Sequence, residues 1–145
     1  MLRKLILREF LSIGRFRPIG KRAKAKQSRR RAYSFGRRAE VAALLLLYCK
    51  GYRILARRYL APGGEIDLVA ARGKTIAFVE VKGRPAIGLA RLAITEEKRR
   101  RISRAAAHWI GRHSGSMAAN FRGDAIFVAP LGWPRHVAGA FELDL

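Results

Sequence analysis

The chain has 145 residues and a formal net charge of +21, set by 31 Lys and Arg against ten Asp and Glu. Half of it is hydrophobic, enough for one real core, so a single domain with at most a tail is expected. The one cysteine, Cys49, excludes an intramolecular disulfide, and the longest uncharged apolar run, Val41 to Cys49, is too short to cross a bilayer.

The basic excess is uneven. Residues 1–38 carry 14 of the Lys and Arg beside a single acid, Glu9. A field this positive points to a polyanionic partner, nucleic acid first, with an anionic membrane surface or the ribosome as other classes. Leu2, Leu5, Ile6, Phe10 and Ile13 stand at helical spacing among Arg3, Lys4 and Arg8, the pattern of a basic amphipathic helix. Those charges interrupt any secretory core, so the expected location is the cytoplasm and a membrane is not the expected partner. Residues 14–31 lack a core-forming pattern and read as a disordered basic linker. The division expected is therefore a basic extension over 1–31 and a folded domain over 32–145.

Ser34 suits an N-cap for a helix over about 35–50, with Gly51 just beyond its end. Ala39 to Cys49 is apolar nearly all round, which predicts a helix buried against a sheet, with Cys49 a small buried hydrophobe. Glu40 is the only acid in it. It serves either as favourable charge near a helix N-terminus or as a further metal or water ligand. Tyr52 to Leu60 reads as a strand, broken by Ala61-Pro62-Gly63-Gly64.

Two acidic strands follow, Gly64-Glu65-Ile66-Asp67-Leu68-Val69-Ala70 and Thr75-Ile76-Ala77-Phe78-Val79-Glu80-Val81-Lys82. Carboxylates among Ile, Val, Leu and Phe are costly to bury unless a cation or strong donors neutralise them. Residues two apart share a face, so Glu65 goes with Asp67 and Glu80 with Lys82. If Gly73-Lys74 forms a type II′ loop of two residues, Asp67 falls opposite Glu80 and Glu65 opposite Lys82. A loop one residue longer would throw the two acids onto different faces. Two such carboxylates, a backbone carbonyl and waters suit Mg²⁺ or Mn²⁺, and Lys82 could polarise a water or stabilise charge on a phosphate. An ordinary exposed hairpin is the alternative, although like charges at 67 and 80 would oppose its pairing.

Gly83 to Leu92 is a loop containing Pro85 and Gly88. Thr95 looks like the N-cap of a helix reaching about His113, with Glu96 and Glu97 in its first turn. Its inward stripe would be Ile102, Ala105, Ala106 and Trp109, with Lys98 near the same line. Arg99, Arg100, Arg101 and Arg104 would give a basic outer face. Asp124 to Ala129 reads as a strand, and a weaker one as His136 to Leu143. The order predicts an α/β fold, an αβββαβ core whose mixed sheet is flanked by helices. No Gly-rich phosphate loop occurs, so no small-molecule cofactor is expected.

Glu40 in a leading helix, Gly64-Glu65-Ile66-Asp67-Leu68, Phe78-Val79-Glu80-Val81-Lys82-x-Arg84, and Lys98 opening the next helix together resemble the YraN-like family. That family is similar to PD-(D/E)XK nucleases, and especially to archaeal Holliday-junction resolvases. The resemblance spans about residues 34–130 and implies a restriction-endonuclease-like fold. It also implies Asp67 and Glu80 as metal ligands, Lys82 as the group that orients the attacking water, and Glu40 as an accessory acid. Ile66 stands where the superfamily's name has proline. Arg122-Gly123 stands where the family usually has Arg-Phe, a change expected to remove core volume.

The reading is a nuclease-like protein using Mg²⁺ or Mn²⁺ on DNA phosphodiesters, branched or structured DNA among them. Glu40, Asp67, Glu80 and Lys82 form its catalytic set, and Arg84, Lys98, Arg99, Arg100, Arg101 and Arg104 contact nucleic acid. A homodimer would suit a two-fold junction. The alternatives are a nucleic-acid-binding protein of nuclease fold that does not cut, and a basic factor on a membrane surface or ribosome.

Overall fold

The computed structural model describes residues 36–83, 94–113, 115, 119–129 and 132–145. The expectations for residues 1–31, for Ser34 and for Arg84 lie outside them. A helix over 36–49 (α1) is followed by β1 (Arg53–Ala61), β2 (Gly64–Arg72) and β3 (Thr75–Lys82). Then come α2 (Glu96–Arg112), β4 (Asn120–Phe127) and β5 (Arg135–Phe141). The strands form one sheet in the order β1-β2-β3-β4-β5. Only the β3–β4 pair is parallel. A parallel pair needs a crossover, and α2 lies within it. This is the α/β architecture expected, consistent with a restriction-endonuclease-like fold.

Strand alternation sorts the sheet's two faces. Leu68, Ala70, Ala77, Val79 and Ile126 pack with Ala39, Ala43 and Leu47, the i, i+4, i+8 stripe of α1. Val69, Ile76 and Phe78 pack instead with Ile102, Ala105, Ala106 and Trp109, the stripe expected of α2. Each fully buried large side chain, such as Phe78 or Leu47, stabilises the fold by roughly 1.5–3 kcal/mol. Thr95 caps α2, its side chain accepting the Lys98 N–H at 3.2 Å.

The β2–β3 turn has the two-residue loop on which the register argument rests. Arg72 pairs with Thr75, and the pairing runs without a shift to Leu68 with Val79. Gly73 has φ 58°, the left-handed value that the first loop position of a type II′ turn needs, and Lys74 does not share it.

Three expectations change. The helix α1 is not buried all round: Val41, Leu45 and Tyr48 are 52%, 61% and 62% exposed, and Cys49 is exposed beside them. A sheet covers one stripe of a helix, and apolar residues on the far side stay in solvent unless another element reaches them. The fourth strand begins at Asn120, four residues before the expected start, because Asn120 to Gly123 pair in parallel with Thr75 to Phe78. Nor does Gly123 leave missing volume. A Cβ there would lie 2.6 Å from the Phe141 ring, so β5 fills the space from outside.

Candidate metal centre

Continuing the β2–β3 register by one residue sets Asp67 across from Glu80. Beyond Leu68 and Val79 the side chains take over the pairing: Asp67 Oδ2 accepts the Val81 N–H at 2.7 Å. Glu80 is 3% exposed and projects to the α2 side, where Lys98 Nζ lies 3.1 Å from its Oε2. Lys82 Nζ stands 3.0 Å from Glu80 Oε1, with a third of its side chain in solvent. The expected Glu65–Lys82 cross-strand pair is replaced, since Lys82 turns to Glu80 and Glu65 meets Lys98 at 3.6 Å.

The electrostatics follow from that crowding. Burial pushes the Asp67 carboxyl up from 3.8 to about 6, and the adjacent Glu80 adds to it. The Val81 N–H and the Lys98 ammonium lower it without restoring the ordinary value. Glu80 Oε2 is buried and accepts no hydrogen bond, Lys98 being close enough for an ion pair but outside hydrogen-bond geometry.

Do these residues suit a divalent cation? Two adjacent hard-oxygen donors that repel each other, one carrying an orphaned buried oxygen, fit the group. Among the described residues no set of three His, Cys, Asp or Glu converges as a ready-made cage. Mg²⁺ commonly binds through one or two carboxylates and keeps several waters, so Asp67 and Glu80 are a sufficient protein contribution.

The remaining expected residues fall around this centre unequally. Glu40 receives a forked guanidinium from Arg58, with Nη2 to Oε1 at 2.8 Å and Nε to Oε2 at 3.0 Å. Arg58 sits between Arg57, which pairs with Leu68, and Tyr59, which pairs with Ile66, so it falls across from Asp67. The structure thus brings Glu40 to the strand beside Asp67, with both oxygens engaged. On α2, Arg99 bonds Glu96 and Asp144, Arg100 bonds Glu96, and Arg104 donates to the Gly63 carbonyl at 3.0 Å. Arg100, Arg101 and Arg104 are exposed.

Lys98, expected to contact nucleic acid, turns its ammonium to the carboxylates instead. The signal was in its position: 98 precedes Ile102 by four and Ala105 by seven, which puts it on the inward stripe. A second polar centre lies outside the site residues expected from the sequence. Asp124 is fully buried and accepts from Arg122 Nε at 2.7 Å, His136 Nε2 at 2.8 Å and the Gly139 N–H at 2.9 Å. Arg122 also donates to the Tyr52 hydroxyl at 2.8 Å. Arg122 and Asp124 share a face of β4, but a strand expected only from Asp124 onward leaves Arg122 off it.

The profile of the uncharacterised protein family UPF0102 matches residues 39–128, a span that takes in Glu40, both acidic strands, α2 and β4. A UPF0102 protein of Methylobacterium nodulans is 56% identical over 120 residues, which is 83% of this chain and 93% of the relative. One from Methylorubrum extorquens is 54% identical over 116 residues, covering 80% and 91%. One from Methylocella silvestris is 57% identical over 116 residues, covering 80% and 94%.

Proposed function

The chain belongs to family UPF0102, a PD-(D/E)XK nuclease-like family, and from that premise we propose that it is a cation-dependent nuclease acting on DNA phosphodiesters. One observation carries the reading. A two-residue turn aligns Asp67 with Glu80 beside Lys82, and leaves a buried Glu80 oxygen without a hydrogen bond. For stability alone this arrangement is poor, because it crowds like charges in a partly dry site. For binding a cation and a phosphate it is suited.

Asp67 and Glu80 would hold Mg²⁺ or Mn²⁺, which when bound would neutralise a phosphate oxygen and make a bound water more acidic. The chain's own groups supply the rest. Val81's N–H fixes the Asp67 carboxylate, so that one oxygen is oriented before any ligand arrives. Lys82, partly exposed, can leave Glu80 to donate to a water or to a developing oxyanion. Arg100, Arg101 and Arg104 on the outer face of α2 would contact flanking phosphates, which position the strand without reading its sequence.

The test is cleavage of linear, flapped and four-way-junction DNA with Mg²⁺ or Mn²⁺, run in parallel with binding by fluorescence anisotropy. Wild type should cut, while Asp67→Asn and Glu80→Gln should bind DNA within about twofold of wild type and not cut, because Lys and Arg carry the affinity. Binding with no cleavage of any substrate in either cation would replace this reading with that of a non-catalytic nucleic-acid-binding protein. No helix among the described residues is long and apolar enough to span a membrane.

A further inference from the structure

The Lys98 ammonium occupies an unusual place. It lies 3.1 Å from Glu80 Oε2 and 3.6 Å from Glu65 Oε1, and its charge also acts on Asp67. Two carboxylates, one from each acidic strand, therefore share one ammonium from α2. Its side chain is 18% exposed, against 32% for Lys82. The contact with Glu80 is an ion pair without hydrogen-bond geometry, so Glu80 Oε2 is neutralised but not satisfied.

The helix position makes this stranger. Lys98 is the third residue of α2, where the exposed N–H groups and the helix dipole disfavour a cation. Glu96 and Glu97 fit that turn, and Lys98 does not. Its presence is accounted for by what it faces across the gap to the sheet.

We propose that Lys98 is an internal counter-ion standing in the place of the divalent cation, and that the cation binds only as this ammonium withdraws. The inference rests on the cation reading above and deepens it. At close range to the same buried Glu80 oxygen, an ammonium and a divalent ion would repel each other strongly. Each cation bound must therefore displace one ion pair, and the affinity measured is the difference between the two. Lys98 is in this sense a positioning residue. It keeps Glu80 and Glu65 from repelling each other in the free protein, and it lowers the site's affinity for the ion.

Two measurements test this, neither of them activity. Isothermal titration with MnCl₂ and MgCl₂ at pH 8 compares wild type with Lys98→Met, which keeps the stem's length, and with Lys98→Arg, which keeps the charge. Circular dichroism checks that all three are folded. Lys98→Met should bind the ion about tenfold more tightly or better, the scale of removing one adjacent opposite charge, and Lys98→Arg should stay near wild type. Separately, amine acetylation read by mass spectrometry on the wild-type chain should show Lys98 several-fold more reactive when MnCl₂ is added. Wild type that binds the ion, with Lys98→Met unchanged or weaker and Lys98 labelling unmoved, would overturn the displacement alone. No ion binding by wild type or Lys98→Met would overturn the cation reading and this inference together.

Discussion

Asp67 Oδ2 accepts the backbone N–H of Val81 at 2.7 Å, so one acid both belongs to the charged cluster and completes the strand's hydrogen bonding. The two roles separate by substitution. Asparagine keeps an acceptor for Val81 and removes the repulsion with Glu80, whereas alanine leaves the N–H unpaired. Asp67→Asn should hold or raise metal-free stability relative to wild type. Asp67→Ala should fall below Asp67→Asn by about 1–3 kcal/mol, the cost of an orphaned donor in a part-buried site. Urea unfolding at pH 7.5 with EDTA measures both. Equal stabilities would mean the Val81 bond contributes nothing.

The same residue gives a pH dependence of definite sign. Folding raises its pKa from 3.8 to about 6, so the native state holds a proton more tightly than the unfolded chain. Its contribution is most favourable below about pH 4 and declines as pH rises through 4 to 6, by at most about 3 kcal/mol. In EDTA, wild type minus Asp67→Asn should show that decline and level off above pH 6. Mn²⁺ affinity should run the other way, weakening as pH drops below 6, because the ion needs the carboxylate.

Asp124 predicts the opposite slope. Burial works to raise its pKa, but donors from His136, Arg122 and Gly139 outweigh it and hold the carboxylate below its ordinary range. Stability from this group is present above about pH 4 and lost as pH falls further. Asp124→Asn would turn an amide NH₂ toward one of the donors that now share the carboxylate. It should cost about 3–5 kcal/mol by urea unfolding at pH 7, the range for removing one partner of a buried ion pair. A change under about 1 kcal/mol would mean that Arg122 and His136 find partners elsewhere.

Cys49 lies on the exposed side of α1 with Val41, Leu45 and Tyr48. Ellman's reagent should label it in the folded protein at a rate close to that of a free thiol. Cys49→Ser should change stability by less than about 0.5 kcal/mol, as for an open surface site. Labelling only after denaturation would place the thiol under cover.

What could be read from the sequence was what local chemistry decides. The register of β2 against β3 follows from a glycine able to take positive φ at one loop position, and the inward stripe of α2 follows from its spacing. Thr95 was legible as a cap because its hydroxyl needs only a donor three residues on. The exposed side of α1 was not, since hydropathy marks apolar residues without saying whether anything covers them. The Asp124 centre was hidden for another reason: Tyr52 and His136 lie 72 and 12 residues from it, and only the sheet brings them together. Lys98 stood in plain view on the inward stripe, but a lysine beside four arginines reads first as one more surface cation.

Gly64 tests how closely α2 must approach the acidic strands. A Cβ there would lie 1.9 Å from the Arg101 carbonyl oxygen and 3.2 Å from the Ala105 Cβ. The carbonyl belongs to helix backbone and cannot rotate away, so Gly64→Ala must push α2 off the sheet. That loosens Ile102 and Ala105 and draws Lys98 away from Glu65 and Glu80. The expected cost is about 1–3 kcal/mol or more, as for overpacking against backbone. Gly73 provides the contrast: it has φ 58° and open space around it. Gly73→Ala should cost only about 1–2 kcal/mol, from left-handed backbone, without moving α2. Urea unfolding gives the two stabilities, and amine acetylation of Lys98 in metal-free buffer gives the position of α2. Lys98 should become more reactive in Gly64→Ala and stay unchanged in Gly73→Ala. Equal reactivity in both would mean that the helix does not depend on this close approach to hold its lysine against the carboxylates.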